Sequence, residues 1–408
     1  MPKSRARGVR KRTALLLGPA FVAAIAYVDP GNVAANLTAG ARYGYLLLWV
    51  LVLANLIAVL VQYQSAKLGL VTGSSLPELL GESMRPTPRR LYWVQAELVA
   101  AATDIAEVLG GAIALHLLFG LPLLAGGAIV GVASMALLLV QSRGSQRRFE
   151  LVIIALLAVI LVGFVSGLFI RHPDPGAVLA GIVPRFEGTD SLLLASSMLG
   201  ATVMPHVIYL HSALSRDRHG IGGDNTRELL RVTRWDVGIA LLFAGAINIS
   251  MLLLAGSSLR GVDGTDTIEG AHAAIVSALG PGIGIVFAIG LLASGLASTS
   301  VGTYAGSVVM GGLLKVRIPL LLRRLVTLVP ALIVLGVGFD PTRALVISQV
   351  ALSFGIPFAL IPLVRLASSK TLMGEFANAP WLRTAGWVSA AAIVIINVAL
   401  IALTIVGS

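Results

Sequence analysis

Long runs of Leu, Val, Ile, Ala and Gly recur from end to end of the chain, each bounded by a short segment in which Arg, Asp, Gly and Pro collect. The runs are solid rather than alternating, so they lack the period of two that a barrel strand needs. They are about 20 residues long, the length at which a helix crosses a hydrocarbon layer roughly 30 Å thick. The pattern predicts eleven membrane-spanning helices, at 14–38, 44–69, 91–119, 121–140, 149–170, 191–215, 232–258, 281–314, 321–339, 342–367 and 384–406. Proline interrupts the first and the sixth inside otherwise apolar stretches: AYVDPGN, centred on Pro30 and Gly31, and ATVMPHV, centred on Pro205. The interruptions fall five spans apart, an odd number of crossings, which sets the two halves in opposite orientation. Spans one to five and six to ten then form an inverted repeat about an axis in the membrane plane, with an eleventh span added. The organisation expected is a basic tail over 1–13, a first repeat over 14–170, a second over 171–367, and a loop with the last helix over 368–408.

Composition narrows the class. Of 408 residues, 57% are hydrophobic and 12% charged, about half the charge of an ordinary soluble protein, which excludes a soluble enzyme. An excess of 30 Lys+Arg over 19 Asp+Glu gives a net charge of +11. On a soluble domain that would suggest nucleic acid; here it reports topology. With the N-terminus inside, 25 basic residues fall on the cytoplasmic side, among them the tail, Arg143, Arg147, Arg148 and Arg317, and only Arg42, Arg171, Arg185, Arg260 and Arg343 fall outside. The bias places the N-terminus in the cytoplasm and the C-terminus outside. The basic start resembles the n-region of a signal peptide, but the apolar segment after it is too long and lacks a cleavage site, so it is read as retained. Without Cys there is no disulfide framework and no thiolate metal cluster.

No Lys or Arg falls deep in a predicted span; the intramembrane charges are Asp29, Glu97, Asp104 and Glu107. Such residues are expensive in lipid and usually face a cavity that marks an ion pathway. Pro30 and Pro205 each remove an amide donor, freeing the carbonyls of Ala26 and Ala201 to face a cation. Asp29 adds a hard anionic oxygen, Asn32 a neutral oxygen and Met204 a soft thioether. A thioether is a poor ligand for Mg2+ or Ca2+ and an acceptable one for Mn2+, Fe2+, Co2+ or Cd2+, so the set points to a divalent transition metal. A lone buried Met is more often core filler; its place beside two broken helices changes the weighing. His206 follows the second break and can titrate near neutral pH, whereas His211 reads as structural. Glu97, Asp104 and Glu107 fall within an arc of about 80° on one helix face, a candidate proton relay. Arg323 and Arg324 are either its partners or plain positive-inside anchors. Gln349 either reaches the site or bridges helices. Small residues in span eight, LLASGLASTSVGTYAGS, read as packing and sliding surfaces.

With DPGN at residues 29–32 and MPH at 204–206, the chain resembles the bacterial Nramp family of divalent metal transporters. The resemblance extends through GPAF entering span one, QAELVAAATDIAEVLGGA in span three, GATVMPHVIYLHSAL in span six and ISQVALSFGIPFALIPL in span ten. It implies an all-α, LeuT-like fold of eleven helices in a bacterial plasma membrane that couples Mn2+ or Fe2+ import to protons. By that resemblance Asp29, Asn32 and Met204 are metal ligands, the Ala26 and Ala201 carbonyls join in different conformations, and Gln349 approaches in the occluded state. The proton route would use Asp29, His206, Asp104 and Glu107, then Glu97 with Arg323 and Arg324. Relatives that carry Mg2+ or Al3+ lack the site methionine, which is present here. The partners expected are the metal ion, protons and the bilayer, with no cofactor, nucleic acid or obligate protein partner.

Two rivals bracket this reading. A LeuT-like sodium-coupled symporter of a small organic solute would bind a substrate carboxylate on exposed amides, and Asp29 would repel it. An intramembrane metalloenzyme would need a site such as HExxH, which does not occur, and His206 and His211 are not spaced i, i+4.

Overall fold

A computed structural model describes residues 18–143, 146–220, 223–316 and 318–406, and every regular element among them is helical. The tail 1–13 and Arg317 lie outside the described residues, as do the side chains of Arg143, Arg147 and Arg148. The chain runs through α1 (Pro19–Ala26), α2 (Pro30–Tyr43), α3 (Leu48–Thr72), α4 (Leu76–Ser83), α5 (Pro86–Phe119), α6 (Leu123–Arg143), α7 (Gln146–Val165), α8 (Pro175–Ala180), α9 (Gly188–Thr202), α10 (Pro205–His219), α11 (Thr226–Ser258), α12 (Ile268–Leu279), α13 (Pro281–Leu314), α14 (Leu320–Gly336), α15 (Pro341–Ala367), α16 (Lys370–Met373) and α17 (Pro380–Val406).

Seven segments among the described residues are long and apolar enough to cross a membrane: α3, α5, α9 with α10, α11, α13, α15 and α17. The other four expected spans correspond to the broken pair α1–α2 and to the helices α6, α7 and α14. Several helices start earlier than hydropathy indicates. α5 begins at Pro86 and α11 at Thr226, because polar turns beyond the lipid still close their own backbone hydrogen bonds and no apolar signal marks them. The short helices α4, α8, α12 and α16 lie between spans; α12 is apolar, but its 12 residues are too few to cross a membrane. In α4 a capping box forms, with Glu78 Oε2 accepting the Ser75 amide at 2.7 Å.

Packing obeys the repeat. If each span is exchanged for the one five places on, the principal contacts map onto one another: α3 packs on the broken helix α10 while α11 packs on the broken helix α2, and α7 packs on α13 while α15 packs on α5. The pairs α3–α11, α5–α13 and α6–α14 map onto themselves, as contacts across a two-fold axis must. The broken pair α9–α10 is central, with 94% of its most apolar window buried, whereas α17 has 28% buried and turns outward. Close approach at the centre depends on Gly200 of α9, where a Cβ would stand 1.9 Å from the Gln349 carbonyl oxygen of α15.

Candidate functional site

The two helix breaks meet at the middle of the bundle. Asp29 caps α2, its Oδ1 accepting both the Asn32 backbone amide and the Asn32 Nδ2, each at 2.8 Å. The same Nδ2 donates across the breaks to the Ala201 carbonyl at 2.9 Å. From α15, Gln349 Nε2 donates to Asp29 Oδ2 at 3.2 Å. Asp29, Asn32, Ala201, Met204 and Gln349 are all fully buried. Met204 is the cap residue of α10, ahead of Pro205. Three buried oxygens here, Asn32 Oδ1, Gln349 Oε1 and Thr202 Oγ1, have no hydrogen-bond partner among the described residues.

The carbonyls depart from expectation. Those of Ala26 and Ala201 do lose the amides of Pro30 and Pro205, yet neither stands free: Ala26 accepts the Asp29 amide at 3.3 Å and Ala201 accepts Asn32. Each retains one lone pair. The carbonyls of the first break are held by side chains that the pattern along the chain does not single out. Asn248 Nδ2 donates to the Tyr27 carbonyl at 2.8 Å and takes Asn36 Nδ2 on its own oxygen at 3.1 Å, and the Ser294 hydroxyl donates to the Val28 carbonyl. A lone Asn inside an apolar run is the usable signal.

The acidic face of α5 is paired. Arg323 of α14 grips Glu97 with two nitrogens, Nη2 to Oε1 at 2.7 Å and Nη1 to Oε2 at 3.0 Å. Arg324 is fully buried and donates from Nη1 to Asp104 at 3.0 Å, from Nε to Ser134 at 2.9 Å and from Nη2 to Thr299 at 3.3 Å. Glu107 stands 3.8 Å from the same guanidinium, and neither of its oxygens has a hydrogen-bond partner among the described residues. Both arginines are therefore ion-pair partners. Arg324 lies in the first turns of α14 and is nevertheless fully buried, because its guanidinium is enclosed by α5, α6 and α13. The small residues of α13 also do more than pack. A Cβ at Gly302 would lie 2.9 Å from Glu107 Oε1, and one at Gly306 would lie 2.0 Å from Arg323 Nη2, so these glycines make room for the charges.

His206 is buried at the start of α10. Its Nδ1 lies 3.4 Å from the Thr103 hydroxyl, next to Asp104 in sequence, and its Nε2 has no partner among the described residues. Thr103 therefore stands between the break and the charged cluster. His211 bonds Gln62 at 2.8 Å, and Gln62 in turn donates to the Tyr27 hydroxyl. A further buried acid, Asp236 of α11, is missing from the predicted intramembrane charges; it accepts the amides of Gly18 and Ala20 at 3.1 and 3.0 Å and so fastens the start of α1. No group of three or more His, Cys, Asp or Glu that could form a metal cage occurs among the described residues.

Reciprocal packing, two broken helices and polar groups gathered at both breaks define a multi-pass membrane transporter of the inverted-repeat class. Residues 20–403 match the family described as Natural resistance-associated macrophage protein-like, Nramp, and the chain belongs to that family. It is 60% identical over 394 residues to the divalent metal cation transporter MntH of Mycobacterium tuberculosis, covering 96% of this chain and 92% of that one. To MntH of Bacillus subtilis it is 47% identical over 392 residues, covering 94% and 91%. Among solved structures it resembles the Eremococcus coleocola manganese transporter, with a TM-score of 0.84 and 32% identity over 94% of this chain and 85% of that one. MhsT, solved in complex with L-phenylalanine, shares the fold at 15% identity, with a TM-score of 0.63 over 95% of this chain and 97% of its own.

Proposed function

We propose that this protein imports divalent transition-metal ions, Mn2+ foremost with Fe2+, Co2+ and Cd2+ as further substrates, by alternating access with proton co-transport. It acts in a bacterial plasma membrane, with the N-terminus cytoplasmic and the C-terminus outside. The observation that carries the reading is the pair of buried amide oxygens, Asn32 Oδ1 and Gln349 Oε1, that have no hydrogen-bond partner among the described residues and sit on the two side chains that hold Asp29. Both amides offer the carboxylate N–H groups; rotation of either side chain offers oxygen instead, which is what a cation at Asp29 requires. Met204 adds the thioether that favours a transition metal over Ca2+ or Mg2+. The second lone pairs of Ala26 and Ala201 complete the set as α1 and α9, which carry them, move. One carboxylate with neutral donors holds the ion reversibly, as a carrier must.

Protons leave Asp29 by way of His206, pass Asp104 and Glu107 on α5, and reach the Glu97, Arg323 and Arg324 network. The sodium-coupled organic-solute reading gives way at Asp29, whose buried charge would repel a substrate carboxylate. Uptake into proteoliposomes that contain the purified protein and an internal pH dye tests the proposal. Mn2+ uptake with internal acidification and exclusion of Ca2+ and Mg2+ is expected. No Mn2+ flux under any gradient, with uptake of a radiolabelled amino acid, would return the rival.

A further inference from the structure

Away from the broken helices, α3, α11 and the start of α17 enclose a groove of about 780 Å3 on the outer surface of the bundle. Its walls are apolar, with Leu56, Leu60, Val237 and Trp381 among them, and Leu56 and Trp381 are 64% and 68% exposed. One end is cationic. Lys67 Nζ lies 6.0 Å and the Arg234 guanidinium carbon 5.4 Å from the centre of a single ring, that of Tyr63. Lys67 donates to the Phe376 carbonyl at 3.1 Å and to Asn378 Oδ1. Arg234 Nε donates to the Tyr63 hydroxyl at 3.4 Å, and its terminal nitrogens make no hydrogen bond among the described residues. Glu375, the acid at this end, is held by Arg227 at 2.6 Å. Arg234 therefore stands open at the head of an apolar channel with the buried ammonium of Lys67 behind it, and the nearby carboxylate of Glu375 is ion-paired with Arg227.

The dimensions indicate what fits. Leu56 and Lys67 are eleven residues apart on α3, about 16 Å along the helix axis, close to half of a hydrocarbon core about 30 Å thick. The groove thus spans the depth of one leaflet, with its cations where headgroups lie and an exposed tryptophan of the kind found at membrane interfaces. Basic pockets between transmembrane helices select anionic headgroups. We propose that the groove binds one anionic phospholipid, its phosphate held by the terminal nitrogens of Arg234 with the buried charge of Lys67 behind them, and an acyl chain laid along Leu60 and Leu56. The bound lipid ties α17 to α3 and α11, which carry the broken helices. This rests on the membrane-spanning fold and not on the metal reading.

Native mass spectrometry of the full-length protein in detergent, titrated with dioleoylphosphatidylglycerol or dioleoylphosphatidylcholine, tests it. The anionic lipid is expected to bind more tightly, and Arg234→Gln to weaken it about fivefold while Arg234→Lys preserves it. Arg383→Gln, an exposed basic residue outside the groove, should leave binding unchanged. Leu60→Trp, which fills the groove without altering charge, should lower occupancy of the anionic lipid and so keeps the test decisive if Arg234→Gln fails to fold. Equal binding of the two lipids, equal losses in Arg234→Gln and Arg383→Gln, or full occupancy in Leu60→Trp would each overturn the proposal. So would displacement of the lipid by equimolar glycerol phosphate, which would mean that the groove contributes nothing.

Discussion

A Cβ on Gly31 would stand 1.8 Å from Gln349 Nε2, so the hydrogen bond between Gln349 and Asp29 exists only because residue 31 has no side chain. The atoms in the way are the end of a flexible side chain, and Gln349 yields before the helices do. Gly31→Ala is therefore expected to fold with a melting temperature near that of the parent while Mn2+ uptake falls roughly tenfold. Melting curves and proteoliposome uptake on one preparation separate the two effects; a stable variant with full uptake would remove Gln349 from the site.

Gly200 presents the opposite case. A Cβ there meets the Gln349 carbonyl oxygen at 1.9 Å and the Ser353 amide nitrogen at 2.7 Å, and backbone cannot swing aside. Gly200→Ala should destabilise the fold by about 3 kcal/mol or more, seen as a lowered melting temperature and poor recovery from the membrane. Recovery equal to that of Gly31→Ala would contradict this account of α9 against α15.

Both breaks are legible in the sequence, because a proline beside Asp or His inside a solid apolar run interrupts the helix where a polar group already sits in the membrane. Helical arithmetic alone places Glu97, Asp104 and Glu107 on one face. Their partners are legible only as candidates, since the residues leave Arg323 and Arg324 as either ion-pair partners or anchors and the resemblance alone favours the pairing that the structure shows. Arg323 lies 226 residues from Glu97 and Arg324 lies 220 from Asp104, and a single sequence carries no signal for pairing over such distances. The same gap hides Asn248 and Ser294 on the break carbonyls and Asp236 at the start of α1. Gly302 and Gly306 are misread for a related reason: a small residue in a transmembrane helix looks the same whether it admits another helix or a guanidinium.

Met204 tests the choice of metal. Met204→Ala removes the soft ligand and leaves Asp29 and the amide oxygens, a set suited to hard cations. Appreciable Mn2+ transport should persist while Ca2+ gains access. Competition of Ca2+ against Mn2+ uptake measures it, and continued exclusion of Ca2+ would show that the thioether is not the filter.

The Arg324 cluster separates a proton relay from a structural brace. In Asp104→Asn the guanidinium keeps Ser134, Thr299 and Glu107, so the fold should survive and Mn2+ should move without internal acidification. Arg324→Gln instead leaves two buried carboxylates with no cation, a change that typically costs about 3 kcal/mol or more, and should lower the melting temperature sharply. Paired readings of metal and pH in Asp104→Asn decide the point; if both fluxes continue together, the relay runs elsewhere.

Asp29 has two duties that substitution can divide. Its Oδ1 caps α2 through the Asn32 amide, and its carboxylate supplies the negative charge where the breaks meet. Asn caps a helix about as well as Asp, whereas Ala forfeits about 1 kcal/mol. Asp29→Asn should therefore match the parent in thermal stability and lose Mn2+ uptake entirely, while Asp29→Ala should lose uptake and melt lower as well. Calorimetric or fluorescence melting beside uptake distinguishes the roles. Residual Mn2+ transport in Asp29→Asn would mean that the carboxylate positions the helix and does not bind the ion.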